Sequence, residues 1–151
     1  MGKFSDEKVV VKNVFVEESK DSLVTIGKHD WRGDKGKDAW WIYRYKDAIK
    51  QAHDRFTEVK NQEIENILAA RDEKGEPEKV PGGYNINKEK IPEFNERLTE
   101  IMEIEVDLDM NKRFFDPKDA VFKTLNPDEL ALIRPYVANW NEIQSEMEKD
   151  D

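Results

Sequence analysis

The chain has 151 residues, of which 39% are charged and 37% hydrophobic, and its net charge is −9 with a pI of about 4.9. This length fits a single domain over residues 1–151, and four Trp, four Tyr and seven Phe argue against disorder. The negative field disfavours direct binding to nucleic acid, the lack of cysteine excludes disulfides and thiolate metal sites, and no apolar run suits a membrane span, so we expect a cytoplasmic protein.

Two short apolar runs predict strands near the N-terminus. Residues 8–18 are rich in β-branched and aromatic side chains, and residues 23–26 form a second such run. The polar segment between them would join the two strands as a hairpin. Because an isolated hairpin is marginally stable in water, we expect it to pack on a helix. Residues 1–7 are expected to be a frayed end.

A charged, glycine-containing loop over residues 27–37 carries the first of three neighbouring tryptophans. Trp31, Trp40 and Trp41 are close enough in sequence to form an exposed binding patch, in which Trp31 would be the anchor. The alternative, which we favour, is that Trp40 and Trp41 pack the start of the next helix against the hairpin. Asp38 fits the N-cap position of that helix.

A long helix is predicted from Ala39 to about Asp72. Its apolar residues recur at alternating spacings of three and four, the pattern of a coiled-coil or helical-hairpin seam. The seam consists of Ile42, Tyr45, Ile49, Ala52, Phe56 and Val59. Such a seam needs a partner helix, which could belong to the same chain or to a second copy in a homo-oligomer, and periodicity leaves both arrangements open.

Glycine and proline interrupt this pattern over residues 72–87, which we expect to be a flexible loop. Residues 84–86 could add a short strand there. Pro92 then fits the first turn of a second helix, and the apolar face of that helix contains Phe94, Leu98, Ile101 and Met102.

Residues 103–110 alternate acidic and apolar side chains without a break, which predicts a strand with one buried and one exposed face. The exposed face would carry only carboxylates, namely Glu103, Glu105, Asp107 and Asp109. Neighbouring side chains on one strand face lie about 6.6–6.8 Å apart, too far for one metal ion to bind all four, so we predict no metal site. A solvated face is the simplest interpretation, and a docking surface for a basic protein partner is the functional one.

The C-terminal part predicts shorter helices. Asp116 and Asn126 both precede a proline, which is typical of a helix start, and Glu129 completes a capping-box pattern with Asn126. Pro135 is expected to break or kink the last helix. Residues 146–151 are expected to be a second frayed end.

Side chains for catalysis are scarce. The two histidines, His29 and His53, have no convincing partners in the sequence, although His29 precedes an aspartate. Phosphate-binding glycine loops, a nucleophile elbow and a zinc-protease motif are missing from the sequence. We therefore predict a protein with no catalytic residues and no cofactor.

Three consecutive segments resemble small tailed-bacteriophage or prophage proteins. They are the helix end at Arg71–Gly75, the run Glu93–Leu98 that leads into Ile104–Leu108, and the turn Leu125–Leu130, so the likeness covers roughly residues 55–135. The resemblance implies a phage or prophage origin and, with it, the cytoplasm of a host cell. It transfers no catalytic residue to this chain.

These patterns predict an α+β fold, in which an N-terminal β-hairpin and one or two further short strands pack on a long amphipathic helix and several shorter helices. The leading functional hypothesis is a non-enzymatic protein–protein interaction protein, of assembly or host-interference type, that acts through the acidic surface and the helical seam. One alternative is an acidic inhibitor that mimics nucleic acid in the binding site of a host enzyme. A third hypothesis is a metal-dependent enzyme that uses the carboxylates.

Overall fold

A computed structural model describes residues 3–149 of the chain. Within this range the elements are, in order, β1 (Phe4–Lys12), α1 (Asn13–Ser19), α2 (Ser22–Gly27), α3 (Lys37–Glu63), β2 (Lys79–Val80), β3 (Gly83–Tyr84), α4 (Ile91–Met102), β4 (Glu105–Arg113), α5 (Pro127–Ile133) and α6 (Trp140–Glu148). A long helix, several shorter helices and antiparallel strand pairs confirm the predicted α+β class.

The N-terminal strand pairs with β4, not with a neighbouring strand. The predicted hairpin is therefore wrong, since residues 13–19 and 22–27 form α1 and α2. Strand β1 ends at Lys12 and α1 begins at Asn13, whose backbone N–H donates to the carbonyl of Ile104 at 3.0 Å and whose side-chain amide donates to that of Ile101 at 2.9 Å. The apolar residues beyond this point are buried as helix residues, so tertiary packing overrides their strand propensity.

The seam on α3 is covered within the chain. Ile42, Tyr45, Ile49 and Phe56 are at most 5% exposed, whereas Val59 is 39% exposed at the end of the helix. Helices α1 and α2 and strand β4 pack against α3. The first four residues are thus core residues instead of contacts available to a second copy, which corrects the idea of an oligomer seam along this helix.

Both ends of α3 differ from the prediction. Gly36, with φ of 86°, occupies the N-cap position, and Asp38 lies buried in the first turn. The α-helix ends at Glu63 and continues as one π-helical turn, Ile64–Leu68, in which the N–H of Ala69 donates to the carbonyl of Ile64 at 2.8 Å. Ala69 then adopts an extended backbone, so the helix ends before Asp72.

The segment 72–87 contains regular structure. Strands β2 and β3 form a small antiparallel hairpin, and isolated bridges join Ala69 to Ile86 and Arg71 to Pro77. The short strand expected at residues 84–86 is thus placed at Gly83–Tyr84. Whether this hairpin moves as a flexible unit stays a prediction.

The C-terminal helices follow the sequence signals closely at Asn126. Its side-chain oxygen accepts from the N–H of Glu129 at 2.8 Å, and the Glu129 carboxylate accepts from the N–H of Asn126 at 3.1 Å, which confirms the capping box. Pro135 lies in the 3-10 turn Arg134–Tyr136 that separates α5 from α6. Asp116 does not begin a helix, since Asp119 caps the 3-10 turn Ala120–Lys123 instead.

The predicted frayed ends are partly structured. Residues 4–7 belong to β1 and residues 146–148 to α6, while residues 1–2 and 150–151 lie outside the described residues. None of the helices in the described range combines the length and the apolarity that a membrane span requires.

Candidate protein-binding surface

The alternation in β4 places its carboxylates as predicted. Glu105, Asp107 and Asp109 are exposed, whereas Leu108 is buried and Val106 is partly buried. We call these three carboxylates the acidic row. Glu103 is also exposed but lies in the turn between α4 and β4. The predicted set of four therefore divides into a strand row of three and one turn residue.

Lysines of β1 lie beside this surface. The ammonium of Lys12 lies 2.7 Å from the carboxylate of Glu103, and that of Lys8 lies 3.7 Å from Asp109. Its hydrogen bond to Glu103 raises the pKa of Lys12. Asp107 faces Val10 across the strand pair, and in the described part of the chain it forms no ion pair. Lysine and carboxylate charges thus lie together at the two ends of the surface, whereas no lysine among the described residues balances the carboxylate charge in the middle.

A bulge in β4 limits the acidic row. The pairing register with β1 shifts between Lys8 and Val10, and Asp109 adopts a positive φ of 58°. The N–H of Asp109 donates to the side chain of Asp107 at 2.7 Å. The alternation of exposed and buried residues ends beyond Asp109, and Arg113 is buried although its odd number would continue the exposed row.

Further carboxylates lie just before the row in the sequence. Glu93, Glu96 and Glu100 are exposed on α4, and Glu96 forms no ion pair within residues 3–149. Residues 88–109 hold eight acidic and only three basic side chains, so this short segment supplies five of the nine net negative charges. The charge of the chain is therefore concentrated around α4 and β4.

A groove separates β4 from α3. It has a volume of about 370 Å³, and its lining includes Arg44, Ala48 and Arg55 of α3 together with the consecutive residues 106–110 of β4. A smaller pocket of about 200 Å³ adjoins it, shares Arg55 and Val106, and is lined mainly by apolar side chains such as Phe56, Val59, Ile101 and Ile104. The two cavities are therefore neighbours along the strand.

Trp31 is not part of this surface. It is only 6% exposed, its indole N–H donates to the carbonyl of Ile26 at 2.8 Å, and its ring contacts Phe115 and Phe122. The predicted role of Trp31 as an anchor for a partner is therefore wrong, because a core position hides the ring.

The interpretation of the other two tryptophans is half correct. Trp41 packs edge-on against Phe4, with ring centroids 4.6 Å apart, so it does close the start of α3 against β1. Trp40 is 59% exposed and contributes little to that contact.

A buried ion cluster lies beyond the bulge and was missed by sequence reasoning. Arg113 is 1% exposed, and its guanidinium donates to Asp38 at 3.0 Å and to Asp34 at 2.6 Å. The rings of Phe4 and Trp41 cover it at 5.2 and 5.8 Å. Burial raises the pKa of Asp38 despite its contact with Arg113, and its second oxygen has no hydrogen-bond partner among the described residues. No sequence signal distinguishes these charges from surface charges.

The two histidines contact carboxylates in separate places. His53 lies 2.7 Å from the carboxylate of Glu17, and His29 lies 2.9 Å from that of Glu129, not beside Asp30. Between residues 3 and 149, no group of three or more histidine and acidic side chains is arranged to hold a metal ion.

Comparison of the chain with protein-family models, with curated proteins and with solved structures found no match.

Proposed function

We propose that the chain is a non-enzymatic binding protein that holds a basic region of a protein partner against its acidic row. The observation that supports this proposal is the state of Asp107, an exposed carboxylate that faces Val10 across the strand pair and forms no ion pair among the described residues, whereas Asp109 beside it lies 3.7 Å from the ammonium of Lys8. A cation of a partner fits this position because it would complete the charge pattern that β1 begins.

The distribution of charge supports an electrostatic mode of encounter. A region with one sign of charge attracts an oppositely charged partner over distances of about one Debye length, roughly 10 Å at 0.1 M salt. Since the net charge is concentrated in residues 88–109, a basic partner would be steered towards α4 and β4. Such binding is expected to weaken as salt increases.

The same surface fits the hypothesis of nucleic-acid mimicry less well. A mimic requires a broad face of carboxylates, whereas Lys8 and Lys12 accompany the acidic row on its β1 side. Assembly through the α3 seam is also disfavoured, because the chain itself covers the seam. We retain an assembly or host-interference role of phage type, carried by the acidic row alone.

The proposal can be tested by capturing partners from a bacterial lysate on the immobilised protein at about 50 mM and about 500 mM salt. The test variant combines E96Q, E105Q and D107N, which removes three exposed carboxylates that form no ion pair within the described residues. We expect the wild type to retain Lys- and Arg-rich proteins at low salt and the variant to lose them.

A matched control combines D54N, E58Q and E65Q, three exposed carboxylates of the α3 region that also lack ion pairs in the described range. It changes the net charge equally but leaves the acidic row intact, so it should capture as the wild type does. Equal loss from both variants would reduce the effect to net charge, and capture by all three proteins regardless of salt would contradict the proposal.

A further inference from the structure

The groove beside α3 lies at an edge of β4. Both inward residues, Val106 and Leu108, and outward residues, Asp107 and Asp109, line it in succession. Only a strand edge exposes residues of both faces together, since successive side chains point to opposite faces. Strand β1 occupies the other edge of β4.

Among the described residues, other parts of the chain hydrogen-bond to this edge only near the C-terminal end of β4. The hydroxyl of Tyr45 donates to the carbonyl of Asn111 at 2.7 Å, and the N–H of Ala138 donates to that of Arg113 at 2.8 Å. Along residues 105–108, the described part of the chain provides no pairing strand except β1. The backbone there keeps the donors and acceptors that an added strand requires.

The opposite wall of the groove suits an extended chain. Ala48 and Ala52 leave room on α3, and Arg44 and Arg55 are without ion-pair partners in the described residues. A guanidinium carries five N–H donors, so these two side chains are able to donate to the carbonyls of a peptide in the groove. They are eleven positions apart, which is about 16 Å along a helix, or about five residues of an extended strand.

Strand β1 indicates which side chains such a segment should carry. It places Lys8 and Lys12 beside the carboxylates and buries Val9 and Val11. A strand on the other edge of β4 would flank the same acidic row. We therefore expect that strand to alternate outward lysines with inward apolar residues, as β1 does.

A second copy of this chain does not fit the edge. Pairing β4 with itself would bring the two acidic rows side by side, and like charges directly opposite each other destabilise a strand pair. The side chains of the occupant that face the acidic row must therefore carry the opposite charge.

We propose that the open edge of β4 accepts a lysine-bearing extended segment of a partner protein as a third strand. Its apolar side chains would enter the groove and the pocket beside Phe56, Val59 and Ile104. This inference rests on the proposed function and adds the mode of recognition, in which backbone hydrogen bonds supply affinity and side chains supply specificity.

The test uses a capped synthetic peptide, Gly-Lys-Val-Lys-Val-Lys-Gly, titrated into the isotope-labelled full chain and followed by NMR. We expect amide shifts concentrated in residues 104–108 and on the groove side of α3. Two further peptides are N-methylated, one at both valines and one at the first and third lysines. Because alternate N–H groups of a strand point to opposite edges, only one of the two should lose affinity, by about tenfold or more.

Protein variants give an independent measurement. A48L fills the groove without changing the charge and should weaken peptide binding by about tenfold, whereas N61L adds the same side chain to an exposed position of α3 outside the groove and should leave it unchanged. Circular dichroism checks that both variants fold.

Failure of this inference is distinguishable from failure of the proposed function. Equal binding of both methylated peptides, or no binding of the parent peptide, would overturn strand addition, while salt-sensitive capture by the acidic row could still hold. If the peptide binds as predicted but the acidic-row variant captures the same proteins as the wild type, strand addition would stand and the electrostatic role would be wrong.

Discussion

Strand β4 carries two charged regions of opposite character, the acidic row before its bulge and the buried ion cluster after it. In the cluster, each charge has a fixed partner at hydrogen-bond distance and aromatic rings exclude water. In the row, the charges face solvent, and within residues 3–149 two of the three, Glu105 and Asp107, form no ion pair. The first arrangement stabilises the fold through geometry, whereas the second contributes little to stability and remains available to another molecule.

The two regions also differ in backbone strain. The turn that places Asp34 beside Arg113 has left-handed backbone at Asp34 (φ 51°) and Lys35 (φ 58°). This conformation raises the free energy of the folded state by about 1–2 kcal/mol for each such residue. The surroundings must compensate for this strain, so the cluster and its turn form one interdependent unit. The acidic row shows one comparable backbone angle, at Asp109, and that residue has an exposed side chain.

Removal of the buried cation should have the largest effect. R113M leaves Asp38 buried without its partner, so we expect a loss of about 3–5 kcal/mol in the free energy of unfolding, measured by urea denaturation. The double variant R113M/D38L removes both charges and should recover part of that loss. A change below about 1 kcal/mol in R113M would contradict the assignment of the cluster as a structural unit.

A methyl group at Gly33 should have the next largest effect. Its Cβ would collide with the Asp38 carboxylate and would lie 3.0 Å from that of Asp119. We expect G33A to destabilise the protein by about 1–3 kcal/mol, measured by thermal and urea unfolding. Gly83, where a Cβ meets nothing within 4 Å, is the matched control, and a similar loss in G83A would mean that the effect comes from helix or strand propensity instead of contact.

Glu129 should give a smaller effect that depends on pH. The N–H of Asn126, followed by the contact with His29, holds the pKa of Glu129 below its usual value of 4.5. A pKa that is lower in the folded state adds stability above the unfolded pKa, and this stability is lost as pH falls through the folded value. E129Q should therefore cost about 1 kcal/mol near pH 7, and the difference from wild type should shrink below about pH 4.

Denaturation curves of both proteins from pH 3 to pH 8 provide the measurement. A difference between E129Q and wild type that stays constant across this range would show that the carboxylate charge has no part in the stabilisation.

Neutralising the acidic row should change stability least. E105Q and D107N alter exposed positions, so we expect changes within about 0.5 kcal/mol in the free energy of unfolding. The same substitutions should nevertheless weaken binding to a basic partner at low salt, as measured by titration calorimetry. A loss of stability as large as that in G33A would show that the acidic row stabilises the fold, as the buried ion cluster does, and would contradict the difference between the two regions.

The sequence predicted the features that depend on neighbouring residues, but it did not predict the contacts between residues far apart in the chain. The alternation at residues 105–109 and the capping box at Asn126 depend on near neighbours, so the sequence displays them directly. The pairing of β1 with β4 and the contact of Arg113 with Asp38 join residues far apart in the chain. The apolar run after Asn13 looked like a strand because β-branched residues favour strands, yet packing against α3 made it helical.

The binding surface was predicted only in part for the same reason. The carboxylates are visible in the sequence, but the groove depends on the approach of α3 to β4. Trp31 was misplaced because composition does not distinguish a ring that contacts Phe115 and Phe122 from one that faces solvent.

The bulge at Asp109 has a consequence for the behaviour of the protein in concentrated solution. By interrupting β4, it keeps the unpaired edge to a few residues, and the neighbouring carboxylates repel an identical edge on another molecule. Short, charged edges of this kind hinder the edge-to-edge pairing of strands by which aggregates grow. The features that would suit this edge to a basic strand, as we propose, therefore also hinder its pairing with an identical edge.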